Sequence, residues 1–339
     1  MPVTGTTIDV LLDARETRRM SAGMRAYVRE LSSRLPSVAP DIRLRTVMRG
    51  ENFSFVEQVE IPFASRHAQL VHFPTIFAPV LLPRRYVVTV HDLIHLRFPE
   101  LFGRTTAAYY SVFVRRLLRG AARIIVGDER TVADCEKFFS IPPQRVRTVA
   151  LGYDPELLAI PPRQPDRPYV LYVGNHRPHK DLGTLVEAWR RLPPAIDLDL
   201  VLTGANDMEL PPYVAGRHAV FLGDLAPAEV AAQIGGAAAV VQPSLAEGFG
   251  LPVLEALVRG VPVIAAEDAY PGIFERYVAR FPARDADALR ARLEETALAP
   301  QRVRAHAAEG MSLARTYTWD RFASAVAAVY REALGVSLT

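Results

Sequence analysis

Residues 154–174, DPELLAIPPRQPDRPYVLYVG, decide the architecture, because a run of prolines gives way there to a dense apolar segment. Five of the first fifteen residues are proline, and that density can continue neither a helix nor a central strand. Residues 155–168 are therefore predicted to be a hinge between two domains. The apolar segment 169–174 is predicted to be a buried strand that opens the second domain.

On both sides of this hinge, short apolar segments alternate with longer amphipathic ones. Before it, residues 7–14 (TIDVLLDA) predict a buried strand and 23–35 a helix; after it, 182–192 predict a helix and 238–242 a strand. Such alternation is typical of parallel sheets with helices on both faces. The sequence therefore predicts an α/β protein of two doubly wound, Rossmann-like domains.

The predicted domain boundaries follow from the same pattern. Residues 1–154 form the first domain, 169–316 the second, and 317–339 a final helix. Ligands of doubly wound sheets bind beyond the carboxyl ends of the strands. We therefore expect the site in a cleft between two facing domains.

Composition excludes several other classes of protein. Half of the 339 residues are hydrophobic and 23% are charged, which suits two folded cores and excludes a disordered chain. No stretch of about eighteen uncharged apolar residues is present, and the first residues lack a basic segment followed by an apolar run. The single cysteine, Cys135, excludes an internal disulfide. These features predict a cytoplasmic protein.

Charge is divided unequally along the chain. Residues 1–160 contain 22 basic and 16 acidic residues, whereas 161–339 contain 18 and 21. A basic first half favours an anionic surface or acceptor on that side. A bias toward arginine, with only Lys137 and Lys180 as lysines, explains the basicity equally well. No nucleic-acid-binding motif accompanies the charge, so nucleic acid is not an expected partner.

The most informative motif is residues 243–262, PSLAEGFGLPVLEALVRGVP. A strand ends at Pro243, a glycine-rich loop carries Glu247, and a helix is predicted to begin near Pro252 with Glu255 one turn further on. The loop glycines permit close approach of a ligand, and a helix start offers unpaired N–H groups to an anion. Carboxylates accept hydrogen bonds from sugar and ribose hydroxyls. This combination favours a ligand that joins a diphosphate to hydroxyl-rich rings.

This motif closely resembles the Glu-x7-Glu signature of the retaining glycosyltransferases of family 4, which have the two-domain GT-B fold. The resemblance implies that Glu247 lies by the donor sugar and Glu255 by the ribose of the nucleotide. It also implies that the amides of Phe249, Gly250 and Leu251 approach the sugar and the diphosphate.

Residues 172–182, YVGNHRPHKDL, resemble the first strand and loop of the family's nucleotide-binding domain. There Lys180 is expected to neutralise the diphosphate. Many relatives carry an arginine where this chain has Asn175, and Arg177 is the expected substitute. Gly204 ends a predicted strand, and Leu225, in VFLGDL, corresponds to the segment that lines the base pocket.

The front half carries further similarities. His91, in VTVHDLIHLRFP, resembles the His-Asp-Leu stretch that faces the donor sugar, although a lone histidine after an apolar strand is more often structural. Residues 13–27 resemble the family's loop that leads into the first long helix, and Gly23, at the start of the predicted helix 23–35, is expected to admit the sugar diphosphate. The final segment, with Trp319, resembles the helix that returns to the first domain.

Several other signals favour structural roles. Asp197 and Asp199 match an Asp-x-Asp metal motif but sit at a predicted strand start. Asp285 is predicted to be a helix N-cap, and Cys135 a packed thiol. The aromatic and basic residues of 109–123 suit either a membrane-surface helix or a core helix with a solvated basic end.

The resemblance implies retaining transfer of a hexose from a nucleotide-diphosphate sugar, with no cofactor and no metal. GDP-mannose is the favoured donor, because the motifs resemble bacterial mannosyl- and rhamnosyltransferases of polysaccharide assembly. Expected acceptors are a glycan, a lipid-linked sugar or a small molecule, with contact to the inner face of an anionic membrane as a further expectation. The alternatives are a nucleotide-sugar 2-epimerase and a catalytically silent homologue that binds a nucleotide sugar.

Overall fold

The computed structural model describes residues 7–336, except 16, 18, 19, 49, 52, 53, 103, 212 and 268. These residues form two units. The first contains the chain up to Gly152 together with the segment from Thr318 onward, and the second is the continuous segment Tyr153–Tyr317.

Strands and helices alternate along most of the chain. The strands are β1 Ile8–Asp13, β2 Ile42–Val47, β3 Leu70–Phe73, β4 Tyr86–Val90, β5 Arg123–Val126, β6 Val146–Thr148, β7 Tyr169–Tyr172, β8 Asp199–Leu202, β9 Tyr213–Val214, β10 Arg217–Phe221, β11 Ala239–Gln242, β12 Val263–Ala266 and β13 Ala279–Phe281. The helices are α1 Ala22–Val38, α2 Phe55–Ser65, α3 Ile94–Arg97, α4 Arg104–Tyr109, α5 Arg115–Gly120, α6 Glu129–Phe139, α7 Leu182–Arg190, α8 Pro227–Gly236, α9 Leu251–Leu257, α10 Ala286–Leu298, α11 Pro300–Ala314 and α12 Trp319–Leu334.

The first unit is built on a six-stranded parallel sheet in the order β2-β1-β3-β4-β5-β6. Its central strands are fully buried and rich in β-branched residues, as in β4 (YVVTV), because both faces of the sheet are covered. The order reverses between β1 and β3, which makes the carboxyl ends of these two strands the expected ligand-binding edge.

The last helix, α12, belongs to the first unit, in agreement with its predicted return. A buried chain of hydrogen bonds fixes it to the sheet: the Tyr330 hydroxyl lies 2.6 Å from His72 Nδ1, and His72 Nε2 lies 2.9 Å from Thr89 Oγ1. The Tyr27 hydroxyl lies 2.8 Å from the same Thr89 oxygen. Burial lowers the pKa of His72 to about 3, so its ring is neutral at pH 7.

The second unit is built on a seven-stranded sheet in the order β13-β12-β11-β7-β8-β10-β9. Its strands are parallel except for β9, which pairs antiparallel with β10. The order reverses between β7 and β11, so their carboxyl ends form the topological switch point of this sheet.

The proline-rich segment belongs to the second unit, whereas the sequence placed it between the domains. Residues Pro155–Ala159 form a 3-10 turn, and Arg259 donates hydrogen bonds to the carbonyls of Leu157 and Ile160. The Arg163 amide donates to the carbonyl of Ala232. Prolines leave such a segment without many amide donors, but its carbonyls remain available to a neighbouring guanidinium.

Some elements were not predicted from the sequence, most notably α2 and the short strands β9 and β13. Helix α2 contains Pro62 and turns several apolar residues outward, so it lacks the usual buried stripe. Among the described residues, no helix is both long and apolar enough to cross a bilayer.

Candidate donor-binding site

The site residues of the second unit come from loops that follow two neighbouring strands. Lys180 lies in the loop after β7 and Glu247 in the loop after β11, so both stand at the switch point. The Lys180 Nζ atom donates a 2.6 Å hydrogen bond to Glu247 Oε1, and both side chains are largely buried, with exposed fractions of 14% and 13%. The structure thus brings together two predicted residues that are far apart in sequence.

Neighbouring groups hold Glu247 in place. The Ser244 hydroxyl, which is fully buried, donates a 2.6 Å hydrogen bond to the same Oε1 atom. The Glu247 amide donates to the carbonyl of Ala269, and the Leu245 amide donates to the carbonyl of His179. The loops after β7 and β11 are therefore tied together by backbone as well as by the ion pair. Ser244 was missed in the sequence because nothing marks a strand-end serine as an orienting group.

A tight turn positions Lys180. Residues Pro178–Lys180 form a 3-10 turn that is closed by Asp181 in the left-handed conformation, with φ 50°. The Thr184 hydroxyl donates to the Asp181 carboxylate at 2.8 Å, which secures the start of α7. Lys180 consequently lies at a fixed loop-to-helix junction rather than on a helix surface.

Three glycines, Gly174, Gly204 and Gly223, lie close together after neighbouring strands of the same sheet, and we call this group the glycine floor. Gly204 has φ +92°, and a Cβ placed there would lie 2.6 Å from the carbonyl oxygen of Gly174. The Gly204 amide donates to the carbonyl of Gly223, and the Gly174 amide donates to Thr203 Oγ1. The loops after β7, β8 and β10 approach one another through backbone here, which only glycine permits.

The glycine-rich loop of the Glu-x7-Glu motif turns sharply into α9. Gly250 has φ +80°, and a Cβ there would lie 2.7 Å from the Tyr270 ring. The Phe249 side chain packs inward, with its ring 5.8 Å from that of Phe274. The predicted ligand contact of Phe249 therefore falls to its backbone and not to its ring. Leu225, half-buried, follows β10 on the other side of the switch point.

Glu255 lies on the second turn of α9, and burial changes its chemistry. Its pKa rises from an ordinary 4.5 to about 7, because desolvation outweighs the attraction of Arg259. Arg259 is held away on the carbonyls of Leu157 and Ile160. Near pH 7 the Glu255 side chain is therefore present both as the carboxylate, which only accepts hydrogen bonds, and as the protonated carboxylic acid, which can also donate one.

Replacing Glu255 with glutamine should remove a pH dependence of stability. The folded protein keeps a proton on Glu255 that the unfolded chain releases near pH 4.5. The free energy of unfolding therefore falls as pH rises from about 4.5 to about 7, by about 3 kcal/mol at most. Denaturant unfolding at pH 5 and pH 8 should show Glu255→Gln equal to wild type at pH 5 and more stable at pH 8.

Glu267→Gln is the matched control, because Glu267 is an exposed glutamate of the same unit. It should follow the wild-type pH profile. Equal pH slopes for Glu255→Gln and wild type would contradict the raised pKa.

Asn175 and Arg177 are exposed in the loop after β7. The carbonyl of Asn175 accepts a 2.5 Å hydrogen bond from the Tyr172 hydroxyl, and its Oδ1 accepts from the Arg177 amide at 3.3 Å. These contacts fix the backbone of the loop. Their side-chain roles toward a diphosphate stay predictions.

His176 is a feature that the sequence did not single out. Its Nδ1 lies 2.5 Å from the Asp207 carboxylate and its Nε2 lies 2.8 Å from the Thr203 carbonyl. The two contacts hold the imidazole ring between the loop after β7 and the loop after β8. The ring supports the glycine floor, since Gly204 lies directly against it.

In the first unit, His91 lies just after β4. Its Nε2 donates a 2.8 Å hydrogen bond to the Pro74 carbonyl, and its ring stands edge-on to Tyr27 with centroids 5.1 Å apart. Burial lowers its pKa, so the ring is neutral at pH 7. With Nε2 donating, Nδ1 is left as an acceptor, which suits a sugar hydroxyl.

Gly23 lies at the start of the first helix, within one residue of where the predicted helix 23–35 begins. Gly23 is the second residue of α1, whose N-cap is Ser21; the Ser21 hydroxyl accepts from the Met24 amide at 3.3 Å. The capping serine starts the helix earlier than the glycine suggested.

A buried charge cluster at the end of β1 was also missed. Arg15 pairs with Asp13 at 2.6 Å and with Glu57 at 2.9 Å, and its side chain is 2% exposed. Burial by itself lowers the pKa of this guanidinium, but the hydrogen bonds and charges of the two carboxylates outweigh it, so the pKa is raised. The cluster joins the end of β1 to α2.

The residues set aside in the sequence have structural roles. Asp197 and Asp199 both pair with Arg167, and Asp285 caps α10 by accepting from the Ala288 amide. Cys135 is buried, which raises its pKa to about 12. Across the described part of the chain, no three His, Cys, Asp or Glu side chains are grouped so that they could hold a metal ion.

Known structures share this fold. Sucrose-phosphate synthase from Thermosynechococcus elongatus superposes with a TM-score of 0.75 at 19% identity, covering 97% of this chain and 100% of that one. Anabaena HepE in complex with UDP-glucose gives a TM-score of 0.75 at 15% identity, covering 96% and 100%. The two parallel-sheet units thus have the GT-B fold.

Family models match both halves of the chain. The model described as Glycosyltransferase Family 4 matches residues 12–157, and that described as Glycosyl transferases group 1 matches residues 167–297. The chain therefore belongs to the family 4 glycosyltransferases.

Two curated relatives are mannosyltransferases. O-antigen chain mannosyltransferase B of Escherichia coli is 24% identical over 274 residues, which cover 74% of this chain and 71% of that protein. Phosphatidyl-myo-inositol mannosyltransferase of Mycobacterium leprae is 32% identical over 177 residues, which cover 48% and 46%.

Proposed function

We propose that this glycosyltransferase moves a hexose, with retention of anomeric configuration, from a nucleotide-diphosphate sugar to an acceptor hydroxyl. The observation that carries the proposal is the Lys180–Glu247 pair at the switch point of the second sheet. A nucleotide-diphosphate sugar offers each member a new partner: phosphate oxygens for the ammonium and sugar hydroxyls for the carboxylate.

The remaining groups are assigned by their chemistry. Lys180, with Arg177 and the backbone amides at Gly250, stabilises the negative charge that develops on the leaving diphosphate. Glu247 and the Nδ1 atom of His91 accept hydrogen bonds from the sugar. Glu255 accepts from the ribose, which favours its charged form, so nucleotide binding near pH 6 should release a proton.

The reaction needs no protein nucleophile. The acceptor oxygen forms a bond to the anomeric carbon on the face from which the diphosphate departs, as the bond between that carbon and the phosphate oxygen breaks. The proton of the acceptor hydroxyl passes to the departing β-phosphate oxygen. The protein contributes position and electrostatic stabilisation.

GDP-mannose is the proposed donor, supported by the two mannosyltransferase relatives. The HepE structure, with the same fold, is a complex with UDP-glucose, so uridine nucleotides belong in any test. The proposed acceptor is a glycan, a lipid-linked sugar or a small molecule.

Product analysis tests this function. A thermal-shift panel of GDP-mannose, UDP-glucose and other nucleotide sugars selects the donor. That donor is then incubated with octyl mannoside and with a polyprenyl-diphosphate-linked sugar. NMR should show a new glycoside with the anomeric configuration of the donor. Inversion would contradict the proposed mechanism, and an altered free nucleotide sugar formed without acceptor would identify a 2-epimerase instead.

Transfer should continue at its full rate in excess chelator. The reason is that Lys180 supplies the positive charge that a divalent cation supplies elsewhere. The rate is measured after dialysis against EDTA, with and without added manganese. Loss of activity that manganese restores would overturn this expectation.

A further inference from the structure

Helix α2 of the first unit is largely inverted relative to an ordinary surface helix: Ile61 is buried in the core, but most of its other large apolar side chains face solvent. Phe55, Val59 and Phe63 point outward, with 83%, 53% and 63% of their surface exposed, whereas Glu57 is 1% exposed. A surface helix normally buries its apolar side chains and exposes its charged ones. This helix presents an apolar face to solvent.

The inversion is fixed by the buried charge cluster at the end of β1. Arg15 holds Glu57 at 2.9 Å, and the Ser54 hydroxyl caps the helix by accepting from the Glu57 amide. Rotating the helix to bury its phenylalanines would withdraw Glu57 and leave Arg15 and Asp13 without their third member, which is costly in the interior. The outward orientation is therefore part of the fold.

The apolar face continues beyond the helix. The Val80 amide donates to Gln58 on α2 at 2.7 Å, and Arg116 donates to the Val80 carbonyl at 3.0 Å. The segment around Val80 thus links α2 to the helix that runs through α4 and α5. We call the exposed apolar side chains of these three parts the α2 surface: Phe55, Val56, Val59, Phe63, Val80, Leu81, Val112 and Phe113.

Arginines outnumber carboxylates around the α2 surface, where Glu60 is the partly exposed acidic residue of α2 itself. The Arg66 guanidinium lies 5.2 Å above the Phe63 ring. Arg84, Arg85 and Arg116 are exposed in the same segments. Residues 101–127 contain no aspartate or glutamate. The exposed side chains therefore combine an apolar face with positive charge.

We propose that the α2 surface binds anionic lipid bilayers, with its aromatic and aliphatic side chains entering the headgroup region and its arginines on lipid phosphates. Apolar area and positive charge together are what interfacial binding requires, and each arginine near the surface adds to the affinity. This inference does not depend on the proposed transfer reaction. It includes Val112 and Phe113 of the segment 109–123 but centres the membrane-binding surface on α2.

Vesicle sedimentation tests the proposal. Full-length protein should bind vesicles of phosphatidylglycerol and phosphatidylcholine and should bind pure phosphatidylcholine far more weakly. The double variant Phe55→Ser/Phe63→Ser should bind the anionic vesicles at least about tenfold more weakly, since two large apolar side chains no longer enter the bilayer. Arg84→Ser/Arg85→Ser should also lose about tenfold or more.

Matched controls come from the second unit. Leu298→Ser removes a side chain that is 73% exposed, and Arg190→Ser/Arg191→Ser removes another adjacent arginine pair. Both should bind like wild type. Wild-type binding by Phe55→Ser/Phe63→Ser would overturn the proposal. So would a wild-type protein that ignores the vesicles but forms a dimer that Phe55→Ser/Phe63→Ser disrupts, because the surface would then join two copies of the chain.

Discussion

Lys180→Ala should lower kcat/KM for transfer by about 10²–10³-fold, the range found when one preorganised charge-stabilising group is removed. The Lys180 ammonium lies at the switch point of the second sheet, where it forms an ion pair with Glu247. Its loss leaves the developing diphosphate charge without its main partner. The affinity for the free nucleoside diphosphate should fall as well, measured by calorimetry alongside the initial rates.

The chain supplies its own control. Lys137→Ala removes the other lysine, which is exposed at the end of α6 in the first unit. It should retain wild-type rates and affinity. A folded Lys180→Ala protein with wild-type kcat/KM and nucleotide affinity would refute the site assignment.

Glu247→Gln should separate sugar transfer from nucleotide binding. The amide keeps the shape of the side chain but loses the charge that accepts from sugar hydroxyls, so kcat should fall by about 10²-fold. Lys180 no longer has to leave a carboxylate in order to reach phosphate. The nucleoside diphosphate should therefore bind as tightly as to wild type, or more tightly.

Glu267→Gln is the comparison, since Glu267 is an exposed glutamate in the loop after β12. Glu267→Gln should leave both kcat and the affinity for the nucleoside diphosphate unchanged. If Glu247→Gln weakens nucleotide binding as much as Lys180→Ala does, Glu247 acts by holding Lys180 and not by holding the sugar.

The main pair of the site was predictable because of the sheet topology. Lys180 and Glu247 each follow a strand that the apolar pattern identifies, and parallel strands deliver their following loops to one edge. Charged residues in such loops therefore meet even when many residues separate them. The fold class followed from the same alternation of short strands and helices.

Other features depend on contacts that no local pattern encodes. Ser244 and His176 become significant only when neighbouring loops lie beside them, since a serine hydroxyl or an imidazole ring takes its role from its partner. The first helix begins at Ala22, one residue before its predicted start at Gly23, because Ser21 is its N-cap.

Helix α2 was missed because its pattern of hydrophobic and charged residues is nearly the reverse of the usual one. Most of its hydrophobic residues face solvent and its two buried residues are Glu57 and Ile61, so a pattern that assumes apolar residues inside does not detect it. The residue that explains the arrangement, Arg15, lies on a different element. The ion pair between Arg15 and Glu57 therefore outweighs the usual preference for burying apolar side chains and exposing charged ones.

The first unit is assembled from two separated stretches of the chain, and this has a consequence for biosynthesis. Its sheet is complete by Thr148, yet the hydroxyl that meets His72 belongs to Tyr330. Gly152 also packs against the backbone at Thr318, where a Cβ would come within 2.2 Å. On the ribosome, the uninterrupted second unit can therefore complete its fold first. The unit that emerges first has to wait, with the partners of α12 uncovered, until α12 has left the exit tunnel.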